Sequence, residues 1–122
     1  MAGNLLVDTN AVIYALRGVP HVTKLLENQS VNISFITEIE LLSWPQLGVQ
    51  DSNLIKKFIE SCRVIEYSSQ LKQEVIEVRK KFKLKIADAF IAATAIQYDI
   101  PLVSADLAFD KVKEINFLKI NF

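Results

Sequence analysis

"LLVDTN", residues 5–10, is the stretch on which the fold reading turns. Leu5, Leu6 and Val7 have the unbroken apolar character of a strand covered on both faces, and Asp8, Thr9 and Asn10 then stop it with three polar side chains. The residues that follow, "AVIYAL", are apolar again, so the chain turns a corner and enters another element at once. A strand that ends on a carboxylate and passes straight into a helix is the kind of corner at which open α/β sheets hold ligands.

The same alternation continues outward from that corner. The apolar runs "LLV", "VNISFI", "RVIEY", "PLVS" and "FLKINF", rich in Val, Ile and Phe, predict strands. Helical periods fill the gaps, over 10–17, about 21–28, 37–44, 52–61, 69–82 and 86–98, with a short one near 107–114. The clearest is 69–82, where Leu71, Val75, Val78 and Phe82 recur at three- and four-residue spacing and make one apolar face. Strand alternating with helix, in strands without a polar face, predicts a three-layer α/β/α fold around a central parallel sheet of four to five strands.

A chain of 122 residues is expected to form one domain, spanning 1–122. Its 51% hydrophobic content, with three Gly and three Pro, excludes disordered and low-complexity classes. One cysteine, Cys62, excludes an internal disulfide framework and reads as a small buried hydrophobe. There is no signal-peptide pattern at the start and no run of membrane-spanning length, so the expected location is cytoplasmic, away from membranes. The formal net charge is zero, which rules out a global field that would hold a polyanion nonspecifically. One local patch stands out: "RKKFKLK", with Arg79, Lys80, Lys81, Lys83 and Lys85 at the end of a predicted helix. Cations suit the negative end of a helix dipole, so the patch has a structural explanation beside a phosphate-binding one.

Three further corners carry carboxylates: "TEIELL" after the second strand, "KIADAFIAATA" after the long helix, and "ADLAF" after "PLVS". Asp8 and Asp106 follow strands, whereas Glu40 and Asp88 are expected in the first turn of a helix. Strand ends and the helix starts that follow them share one edge of an open parallel sheet, so these four acids can converge there. Each also has a purely structural explanation. Asp8 and Asp106 suit helix N-caps, Thr37 and Glu40 fit a Thr-x-x-Glu capping box, and Asp88 complements a positive helix start.

Four carboxylates within a few ångströms raise one another's pKa unless a cation neutralises them. A hard ion, Mg²⁺ or Mn²⁺, is the natural partner for oxygen ligands, and without a His/Cys cluster zinc is disfavoured. The single histidine, His21, reads as an exposed helix residue. Such an ion can activate water and stabilise charge on a phosphoryl oxygen, so the donor set points to phosphodiester or phosphate-ester hydrolysis.

These motifs in this order resemble a PIN domain, in particular the VapC-like toxins of bacterial toxin–antitoxin pairs. "LLVDTN", "SFITEIELL" and "KIADAFIAATAIQYDIPLVSADLAF" carry the resemblance over nearly the whole chain, the run from Lys85 to Phe109 being the most specific. The resemblance implies that Asp8, Glu40, Asp88 and Asp106 are the acidic metal-site quartet, supported by the polar residues Thr9, Asn10 and Ser104. It implies a first strand at the sheet centre between the second and fourth, and a Mg²⁺- or Mn²⁺-dependent endoribonuclease acting on RNA. It also implies a homodimer, a cognate antitoxin protein and a closer link between "RKKFKLK" and RNA phosphates. One departure is "SWPQLG", where Pro45 stops a helix that the pattern would carry further.

Two enzyme alternatives fit less well. A haloacid-dehalogenase-type phosphatase needs an acid two residues after the first, where this chain has Asn10. A phospho-accepting receiver domain needs an acidic cluster after its first strand, where Asp8 stands alone. The non-catalytic alternative is a PIN-like binding module whose acids are only caps.

Overall fold

The computed structural model describes residues 3–44 and 49–120. Five strands, β1 (Asn4–Val7), β2 (Ser30–Ser34), β3 (Arg63–Ile65), β4 (Leu102–Ser104) and β5 (Phe117–Lys119), pair in parallel in the order β3-β2-β1-β4-β5. Helices α1 (Thr9–Leu16), α2 (Pro20–Leu26), α3 (Phe35–Leu42), α4 (Val49–Ser61), α5 (Ser69–Phe82) and α6 (Ile86–Tyr98) make the connections, and a 3₁₀ turn (Leu107–Lys111) precedes β5. This is the expected three-layer α/β/α fold with β1 at its centre.

Strand side chains alternate between two apolar layers, which is why the strands read as continuously hydrophobic. Leu6 and Leu102 pack with Leu71, Val75 and Val78 of α5 and with the alanine-rich inner face of α6. Leu5, Val7, Ile33 and Val103 face the other way, onto Ala11 and Val12 of α1, Val22 of α2, Leu41 of α3 and Ile55 of α4. The small residues Ala89, Ala92, Ala93 and Ala95 let α6 lie close against the sheet and α5.

The chain places β2 and β3 on one side of β1, then crosses to place β4 and β5 on the other. Strand order therefore reverses between β1 and β4, and the Asp8 amide locks that seam by donating to the Val103 carbonyl at 3.2 Å.

The second corner differs from expectation. Phe35 and Ile36, assigned from their character to a strand, begin α3 instead. Ser34 is the N-cap, its hydroxyl accepting from the Ile36 amide at 3.1 Å. Thr37 therefore lies inside the helix and is fully buried, and Glu40 sits in the second turn, so Thr-x-x-Glu is not a capping box here. The cap signal was a serine hidden within an apolar run. Helix α3 ends at Leu42 with Ser43 as its C-cap, and the break expected at Pro45 lies outside the described residues.

Candidate active site

All four acids sit on the carboxyl edge of the sheet. Asp8 caps α1: its Oδ1 accepts from the Ala11 amide at 3.0 Å, and its carbonyl accepts from the Val12 amide at 3.0 Å. Its Oδ2 accepts from the Ser104 hydroxyl, whose oxygen in turn accepts from the Asp106 amide at 2.9 Å. Ser104, the last residue of β4, thus ties the β1 corner to the β4 corner across the seam. Asp106 caps the 3₁₀ turn, its Oδ1 accepting from the Ala108 amide at 2.9 Å. Asp88 lies in the first turn of α6, where the helix dipole favours an anion. Glu40 projects from α3 and accepts from the Thr9 hydroxyl at 2.5 Å.

Thr9 also hydrogen-bonds with Thr37 Oγ1 at 3.2 Å. A hydroxyl has one proton, so with Thr9 giving its proton to Glu40, the Thr37 hydroxyl is left to donate into Thr9. Thr37 was missed as a contributor because its spacing to Glu40 mimics a capping box. Only the position of the helix start exposes its other role.

The electrostatics join the acids into one cluster. Asp8 is almost fully buried, and burial above all pushes its carboxyl up to about 6, against lowering by its bonds from Ser104 and Ala11; Asp106 and Asp88 push it further up. Asp88 is also raised, first by burial, then by Asp106 and, more weakly, by Glu40, while Lys85 pulls the other way. Asp8 thus feels the charge of Asp88 and Asp106, and Asp88 that of Asp106 and Glu40, as carboxylates do when they crowd.

The donor chemistry fits a hard divalent ion: oxygen ligands alone, with excess negative charge. Among the described residues, however, no group of three acids is closed tightly enough to grip an ion. The side chains are drawn instead to the partners just described, Ala11 and Ser104 for Asp8, Ala108 for Asp106 and Thr9 for Glu40. Mutual repulsion favours that spread.

The other expected residues divide. Thr9 and Ser104 each hold an acid. Asn10 is exposed and makes no side-chain hydrogen bond among the described residues. The basic run also splits. Arg79 Nε donates to the Leu84 carbonyl at 3.3 Å, Lys80 lies 3.9 Å from Glu77, and Lys81 pairs with Glu114 at 3.0 Å. Lys83 is the left-handed residue that ends α5, with φ 55°. Lys85 acts on an acid of the cluster, Asp88.

The model of the PIN domain family matches residues 5–115, which takes in all four corners. The chain belongs to the PIN domain family. No curated protein sequence matches it significantly. Among solved structures, this PIN domain resembles a chain of VapBC2 from Rickettsia felis bound to a DNA fragment from their promoter, with TM-score 0.83 and 22% identity over 95% of this chain and 98% of that one. DNA-bound VapBC from Salmonella typhimurium matches at 0.83 and 20%, over 98% of each chain. A toxin–antitoxin complex from Klebsiella pneumoniae matches at 0.80 and 24%, over 91% of this chain and 94% of that one. At such identities the likeness establishes a shared PIN fold.

Proposed function

We propose that this PIN domain is a Mg²⁺- or Mn²⁺-dependent endoribonuclease and the toxin of a toxin–antitoxin pair. The observation that carries the reading is the joining of Asp8 to Asp106 through Ser104 at the point where strand order reverses, with Asp88 charge-coupled to Asp106 and to Glu40. A set of caps needs no such coupling: four helix starts could be capped anywhere around the sheet. Asp8, Glu40, Asp88 and Asp106 would hold the ion, directly or through water. Bound there, it would supply an activated water and offset the charge that builds on the phosphate. Thr9, backed by Thr37, and Ser104 hold the carboxylates in place for that task. Hydrolysis that uses water rather than the ribose hydroxyl forms no cyclic phosphate, and departure of the 3′ oxygen leaves a 5′-phosphate and a 3′-hydroxyl.

A candidate partner surface lies between α1 and α4. A cleft of about 280 Å³ is lined by Ile13, Leu16, Trp44, Leu54 and Ile55 together with the charged Arg17 and Asp51, and Ile39, Leu42 and Val49 are exposed on α3 and α4. Apolar surface edged by charge, as here, suits an amphipathic helix of an antitoxin or a second copy of the chain. The similar structures are complexes of that class.

The purified protein is expected to cut RNA in Mg²⁺ or Mn²⁺, to stop in excess EDTA, and to leave 5′-phosphate ends that a phosphate-dependent exonuclease accepts. Cleavage that continues in EDTA, or that leaves cyclic phosphates, overturns the metal reading. Metal that shifts neither activity nor melting temperature favours the binding module.

A further inference from the structure

Tyr67 is half exposed at the same sheet edge as the acids, and nothing in the catalytic scheme uses it. Ile65 ends β3 and is paired with Ser34, the end of β2. Tyr67 and Phe35 therefore extend beyond the carboxyl ends of neighbouring parallel strands, as Asp8 does beyond β1. Strands lie ~4.8 Å apart, so the β3 corner stands roughly 10 Å from the β1 corner.

The ring is held in place. Tyr67 meets Phe35 edge-on, with centroids 6.2 Å apart and planes at 88°, and Phe35 meets Phe90 of α6 at 5.3 Å and 85°. This aromatic chain links Tyr67 to the helix whose first turn carries Asp88. A perpendicular contact covers at most one face of the ring, and half of the tyrosine's surface is open to water. The acid-coupled cation Lys85 precedes the same helix and is exposed.

We infer that Tyr67 is a stacking platform for a nucleobase of single-stranded RNA, flanking the phosphate to be cut. The inference rests on the ribonuclease reading. Stacking suits an enzyme whose chain has no net charge, because affinity that the electrostatic field does not supply must come from contact. A fixed aromatic ring gives that contact without selecting a base strongly. Tyr67 is thus a positioning residue that sets binding and leaves the chemical step to the acids.

Tyr67→Ala, Tyr67→Leu and Tyr67→Phe test this with a fluorescent single-stranded RNA oligonucleotide, bound at low salt in EDTA so that nothing is cut. Base–aromatic stacking of about 1–3 kcal/mol corresponds to a rise in Kd of roughly 5- to 150-fold for Ala and Leu, with Phe within about twofold. In Mg²⁺ the same factor should appear in KM, with kcat nearly unchanged. An abasic ribose stepped along the oligonucleotide should weaken wild type at one position, and Tyr67→Ala should be indifferent there. Leu keeps apolar bulk against Phe35, so wild-type binding by Leu would mean that the ring only packs, and the inference falls. It also falls if Ala binds RNA as wild type does, if the abasic loss persists in Ala, or if wild type binds no RNA. Absence of cleavage in Mg²⁺ alongside Tyr67-dependent binding would instead sink the ribonuclease reading alone.

Discussion

Asp8 is both the N-cap of α1 and a member of the acid cluster, and one substitution separates the two roles. Asn caps a helix about as well as Asp, so Asp8→Asn keeps the bond from Ala11 while removing the charge. The folded-state value of about 6 lies above the ordinary 3.8, so folding favours the protonated form. Its contribution to stability is full below about pH 4 and is lost as pH rises through 6, by on the order of 3 kcal/mol. In EDTA at pH 7, Asp8→Asn should therefore melt higher than wild type, and the fall in wild-type stability between pH 4 and 7 should flatten in the variant. In saturating Mg²⁺ the order should reverse, because wild type alone gains binding energy. Equal melting curves in EDTA at both pH values would reduce Asp8 to a cap. Thr37 gives a second residue-level test. Thr37→Val keeps the shape but leaves Thr9 without its buried partner, so half-maximal cleavage should need about 10- to 100-fold more Mg²⁺, the usual cost of losing an outer-shell contact. Unchanged metal dependence would make Thr37 a packing residue only.

At the scale of elements, two helix ends decide what lies near the site. Ser34 starts α3 and so sets where Phe35, Thr37 and Glu40 fall around that helix. Ser34→Ala should cost about 1 kcal/mol in urea unfolding, and it should weaken metal binding as well, since Glu40 rides on the same helix. A loss of stability with metal affinity intact would detach the cap from the site. The end of α5 carries the basic run, and here Lys83 adopts a left-handed conformation, at which glycine carries no Cβ penalty. Lys83→Gly is expected to stabilise the fold by about 0.5–1 kcal/mol, measured by the shift in urea midpoint. Destabilisation would show that the lysine makes contacts that outweigh its backbone strain.

At the scale of the molecule, balanced charge and paired lysines limit how RNA can be held. Lys80 and Lys81 already face acids, which leaves Lys83 and Lys85 as the lysines of the run without a close ion pair among the described residues, Lys85 acting on Asp88 at longer range. Two phosphate contacts on a single strand correspond to a slope of about −1.4 in a plot of log affinity against log salt. A slope several times steeper would place the main RNA contact on a surface outside this edge. No helix among the described residues is long and apolar enough to cross a membrane.

Apolar period was enough to read the parallel three-layer fold, because strands buried on both faces leave few other ways to cover them, whereas the central place of β1 came from the resemblance to the PIN domain. Helices 69–82 and 86–98 were legible to the residue, since a cap serine precedes the first and a polar loop separates the two. The start of α3 was not: "VNISFITEIELL" is apolar at both periods, and Phe35 joins the helix where its ring can pack on Phe90 and Tyr67, residues distant in sequence. The fate of "RKKFKLK" was likewise decided by distant partners, Glu114 above all. So was the coupling of Asp8 to Ser104. Local pattern specifies which side chains reach an edge, but hydrogen bonds and charge coupling depend on distances that only the packed sheet sets.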